Sequence, residues 1–299
     1  MNTMNEQRVD GNKRRAEAFA LFAGFLSVVL LIAGTFEFIP AWILRDPADD
    51  VHLWHIAELA ALATLLFGGV IFGLLRRPQE KPLLAQFFVL SMLISAVAIT
   101  PFNMAGLVCL VIAGLFVALY PDRRALVSFP RGGRVSIPLV ALTAIYAICQ
   151  DPRIQQEINW QIIGGTADVH ALQLHWIGSA LLITLLILAG FMAATKRPGW
   201  ERLGIVTGTV YIYLGVIALI VPDYAGSWGE ASGLFAAFGG ALYILITLAE
   251  MENMRKKALA RAAESATTDE DQISIEAEAE QLAKAVSASE FLLAGTKER

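Results

Sequence analysis

The chain holds four histidines, and all of them fall in two short windows: His52 and His55, then His170 and His175. Imidazole ligates Zn, Cu, Fe or Ni, carries protons near neutral pH and serves as hydrogen-bond donor or acceptor. His52 and His55 are three residues apart, so a helix carrying them shows both on one face. Glu58 lies one turn further along that face, with His55 as its expected partner; Glu37 is a candidate neighbour. Asp50 and Asp168 each stand two residues before a histidine, in a repeated Asp-Val-His triplet. The candidate metal set is therefore His52, His55, His170 and His175, with Glu58, Asp50 and Asp168 as secondary groups. A Cu or Zn ion or a haem is the candidate occupant, since the ligand types fit all three and the spacing does not choose. Two other readings stand beside this one. The imidazoles are interfacial polar groups bonded to loop acids, or they line a route for a solute or proton.

The elements that position these groups follow from composition. Of 299 residues, 56% are hydrophobic and only 17% charged, against roughly 25% charged in ordinary globular domains. Mean hydropathy is +0.58. Such a chain is neither disordered nor a nucleic-acid-binding module. Two cysteines, Cys109 and Cys149, both in apolar runs, exclude a disulfide framework and a Cys-rich zinc site. No phosphate-cradling, protease or Ser-His-Asp motif occurs, which leaves no nucleotide partner.

A membrane helix needs about 20 mostly apolar residues. Segments 17–39, 53–75, 172–195, 203–221 and 231–250 qualify, and the uncharged run 83–120 breaks into two spans at Thr100-Pro101-Phe102-Asn103. Segment 135–149 is short. The basic clusters Arg76/Arg77/Lys81, Arg123/Arg124/Arg131/Arg134 and Lys196/Arg197/Arg202 belong on the cytoplasmic side. Two spans must then separate Arg134 from Lys196, and 135–149 is needed as one of them. The expectation is an all-α integral membrane protein with eight transmembrane helices and both termini cytoplasmic, in a bacterial-type plasma (inner) membrane. The histidines then face the extracytoplasmic side, together with five tryptophans, Trp42, Trp54, Trp160, Trp176 and Trp228.

Shifted by 120 residues, part of the chain repeats. His55 falls on His175, Ala60 on Ala180, Thr64-Leu65-Leu66 on Thr184-Leu185-Leu186, and Arg77-Pro78 on Arg197-Pro198. Gly178 falls opposite Glu58, so the halves diverge at that acid. The expectation is two tandem four-helix repeats, 17–125 and 126–252, related by a pseudo-twofold axis along the membrane normal. A cytoplasmic N-terminus, 1–16, precedes them and an acidic cytoplasmic tail, 253–299, follows. This duplicated plan with four histidines is similar in outline to haem A synthases. Those place a histidine on every even-numbered span, however, and spans four and eight here have none, so no activity carries over. The stretch from His55 to Leu75 resembles the histidine-then-glycine spans of copper-resistance membrane proteins over one helix.

Four local expectations complete the reading. The Gly69/Gly73 and Gly204/Gly208 pairs pack helices within the bundle, a homodimer seam being the minor alternative. Residues 222–230 form a loop with an aromatic anchor or a cap over the histidines. Residues 150–170, with Ile154, Ile158 and Trp160, form a short helix lying on the membrane. The expected partners are the lipid bilayer and a second copy or membrane-complex subunit, with no nucleic acid.

Overall fold

The computed structural model describes residues 2–36, 38–44, 52–128 and 135–261. Among these the chain is helix and turn, with no strand. The longer helices are α1 (Asn2–Thr35), α2 (Leu53–Leu74), α3 (Pro82–Ile99), α4 (Ala105–Leu119), α5 (Ile137–Gly164), α6 (His175–Ala194), α7 (Trp200–Ile220) and α8 (Gly229–Arg261). The chain divides into two compact units, Met1–Leu248 and Ala249–Arg299. The second is described from Ala249 to Arg261 only. That stretch is helical and, from Met251 onward, exposed, and Glu252 pairs with Arg255 and Lys256 along it.

Six helices are long and apolar enough to cross a membrane: Arg14–Ile43, α2, α3, α6, α7 and α8. The two other helices expected to span differ from these. α4 has 15 residues, about 22 Å of helix, short of the roughly 30 Å hydrocarbon thickness. α5 is apolar only as far as Cys149 and then continues as the same helix through Pro152 to Gly164. The separate interfacial helix expected at 150–170 is therefore not formed. Its residues extend α5 because Gln150, Glu157 and Gln161, at spacings of seven and four, make a buried polar stripe facing the bundle rather than a polar face turned to water.

α6 is the central element, packed against α2, α3, α5 and α7. Of its most apolar window 67% is buried, against 22% for Arg14–Ile43. α1 accordingly turns Leu21, Phe25, Val28, Leu31 and Ile32 outward, a face suited to lipid. The glycines serve packing inside the chain, as expected. A Cβ on Gly208 would come within 2.7 Å of Gly240 O, and one on Gly215 within 2.6 Å of Gly233 O, so α7 and α8 meet backbone to backbone. Gly69 rests against Val206 and Gly73 against Leu84.

The basic loops gather at one end of the first unit. There Gln86 Nε2 donates to the carbonyls of Ala125, Leu126 and Ser128, and the Arg197 guanidinium donates to Ser128 O as well. Lys81 Nζ donates to Gly73 O at 2.8 Å and Arg76 O at 2.7 Å, satisfying carbonyls at the end of α2. The Leu83 N–H donates to Pro198 O, joining the two Arg-Pro turns. The histidines lie at the other ends of α2 and α6.

Candidate histidine site

The site is assembled from the start of α2, the turn before α6 and the loop 222–229. Asp168 begins the turn. Its Oδ1 accepts the His170 backbone N–H at 3.0 Å, capping the short helix Val169–Leu172. The same oxygen lies 3.3 Å from His170 Nδ1, and Oδ2 accepts the Trp176 indole N–H at 2.7 Å. The Trp176 hydrogen bond above all, with those of His170, holds the Asp168 carboxyl below the usual carboxylate range. An acceptor beside Nδ1 favours the His170 tautomer that carries its proton there, with Nε2 open as a ligand.

Leu174, next to His175, adopts a left-handed φ of 64°, a conformation that costs an L-residue about 1–2 kcal/mol. Gln161 of α5 spans this break. Its amide donates to Ala171 O at 2.8 Å and accepts the Ile177 N–H at 3.2 Å. The strain and the bridge together set where His175 points.

The four imidazoles converge. Ring centres are 4.9 Å apart for His52 and His170, 5.1 Å for His52 and His175, and 5.8 Å for His170 and His175. His55 lies 5.1 Å from His170 and stacks on His175 at 4.7 Å. One nitrogen each from His52, His170 and His175 lie within 4.8 Å of one another. His170 Nε2 and His175 Nδ1 are buried and accept no hydrogen bond.

His55 is held differently. Its Nδ1 lies 3.1 Å from Glu58 Oε2, which also accepts the Ser179 hydroxyl. Glu58 is 4% exposed. Its other oxygen, Oε1, has no hydrogen-bond partner, although the Trp54 indole stands close by. Glu157 is fully buried. Arg153 answers both carboxylates. It contacts Glu157 Oε1 at 3.4 Å and donates to Gly226 O at 2.6 Å and Ser227 O at 2.8 Å. The loop 222–229 is thereby tied down as a cap over His55.

Beside the imidazoles opens a cavity of about 590 Å³. His52, His55, Glu58, His175 and Ser179 line its polar end, with Leu59, Leu62 and Ile99 among its apolar walls. A Cβ on Gly178 would meet nothing within 4 Å.

The structure thus brings together six of the seven candidate residues. Asp50 lies outside the described residues, as do Glu37, Asp46 and Asp49. Glu58 and Asp168 both contact histidines, each backing one imidazole. The backed pair, His55 and His170, are not the residues that the 120-residue shift equates. Sequence reasoning gave no role to Arg153, Gln161 or Ser179. The polar 150/157/161 stripe was the available sign of three inward-facing groups on one helix. No family model, curated protein or solved structure matches the chain.

Proposed function

We propose that the protein is a multi-pass membrane protein that binds one transition-metal ion on His52, His170 and His175 at its extracytoplasmic end. The observation carrying this reading is the convergence of three imidazole nitrogens within 4.8 Å. With metal–nitrogen bonds of about 2 Å, a tetrahedral site holds ring centres about 5 Å apart. The three separations of 4.9, 5.1 and 5.8 Å fit that arrangement after small ring rotations. Two imidazoles on opposite sides of a haem iron would stand at least about 6 Å apart with the macrocycle between them, so the spacing favours a bare ion over haem. An all-imidazole set suits Zn or Cu. Three protein ligands leave a fourth position for water or a bound molecule. The Asp168–His170 contact is the carboxylate support that metal-binding histidines commonly have.

The basic loops at the opposite end support the orientation, since Lys and Arg accumulate on the cytoplasmic side. Both termini are then cytoplasmic, in a plasma membrane of bacterial type. Imidazoles supplied at one end by both α2 and α6 fit the tandem duplication.

The test is metal content and an absorption spectrum of the detergent-purified protein. Stoichiometric Zn or Cu, lost in His170→Ala and His175→Ala, is the expected result. A Soret band would reassign the ligand to haem. A colourless, metal-free protein whose melting is unchanged by Zn, Cu or haem would overturn metal binding and leave a membrane scaffold or a solute carrier.

A further inference from the structure

The cavity beside the imidazoles has features that a metal site alone does not use. Its volume, about 590 Å³, lies in the range of small-molecule pockets, roughly 300–1,000 Å³. It runs from His52 to Leu62 along α2, about 15 Å of helix. Its two ends differ in chemistry. Aromatic imidazoles and Glu58 stand at one end, and Leu59, Leu62, Ile99 and Leu181 supply apolar walls. Leu59 is also 41% exposed, so this wall reaches the apolar outside of the bundle. Glu58 Oε1 is a buried acceptor with no hydrogen-bond partner, in a residue lining the cavity. A buried acceptor left unmatched is costly, and a donor entering the cavity removes that cost.

We propose that this cavity binds a membrane-dissolved amphiphile with a hydroxylated aromatic head, a phenol or quinol, whose hydroxyl donates to Glu58 Oε1. The head is a flat ring because imidazoles form the polar end and stack on such rings. The remainder is apolar because leucine and isoleucine line the walls. Ser179 and His55 hold Glu58 Oε2, which leaves Oε1 as the carboxylate oxygen without a hydrogen bond. The inference rests on the cavity and the carboxylate, and it stands with or without the metal.

The test uses the whole chain in lipid nanodiscs, titrated calorimetrically with 4-butylphenol and with 4-butylanisole, which has no hydroxyl donor; empty nanodiscs give the lipid background. A hydrogen bond to this buried acceptor predicts that the phenol binds up to about tenfold tighter. In Glu58→Gln the Ser179 hydroxyl claims the one remaining carbonyl oxygen, so the amide NH2, a donor, stands in place of Oε1 and should erase that preference. Gly178→Phe places a ring where there is open space and should abolish phenol binding while Zn or Cu loading matches the parent protein. Equal affinity for the two probes, no saturable binding, a preference retained in Glu58→Gln, or undiminished binding in Gly178→Phe would each overturn the proposal. Failure of metal loading in the parent, with the phenol preference intact, would overturn the metal reading alone.

Discussion

The backbone of Gly226 lies directly against the ring of His55: a Cβ built on Gly226 would stand 2.8 Å from His55 Cε1 and 3.1 Å from Trp176 Cζ3. Gly226 also has a φ of +81°. Close approach and a left-handed backbone both require glycine here. Gly226→Ala must therefore push the loop off the imidazole or strain it. We expect a loss of about 1–3 kcal/mol, read as a lower melting temperature, with a change in tryptophan fluorescence from the disturbed Trp176.

Asp168→Asn keeps the shape of the His170 support and removes its charge. Metal affinity should fall by about 10- to 100-fold, measured by competition with a chelator of known affinity. Unchanged affinity would show that the carboxylate serves only the turn.

Arg153 faces a fully buried Glu157 and two loop carbonyls. Arg153→Met removes the partner of Glu157 Oε1 and frees the loop, at a cost of about 1–3 kcal/mol. Adding Glu157→Gln should recover little of the loss, because the freed loop remains. Thermal melting of the single and double variants gives the comparison.

Two glycines on different helices should behave oppositely. Gly208→Leu drives a side chain into Gly240 O and Ile244 and should destabilise by about 1–3 kcal/mol. Gly24→Leu on α1 meets nothing within 4 Å of its Cβ and should melt with the parent protein. Retention of the folded peak in size-exclusion chromatography after heating separates the two.

Much of the helical layout was readable because span length and charge bias follow from the bilayer itself. The grouping of imidazoles was also readable, through the Asp-Val-His triplet and the matching positions of His55 and His175. α5 was misread beyond Cys149. Its polar residues looked like a surface segment because hydropathy registers polarity but not the partners that Gln161 and Arg153 find across the bundle. The backing of His55 by Glu58 was legible from a three-residue spacing within one helix. Ser179 was not, since its bond to Glu58 joins residues 121 apart in sequence. Gly226 was named as part of a loop, and only the left-handed backbone and the nearness of His55 make it indispensable.

The far end of the bundle bears on how any guest would travel. Between the imidazoles and the basic loops stand Leu66, Val70, Leu185, Leu186 and Ala189, all with no exposure, and beyond them Gln86 and Arg197 lace the turns together. In this conformation the described part of the fold is a cul-de-sac. A molecule reaching the histidines therefore leaves on the side by which it arrived, and the exposed Leu59 in the cavity wall marks that side.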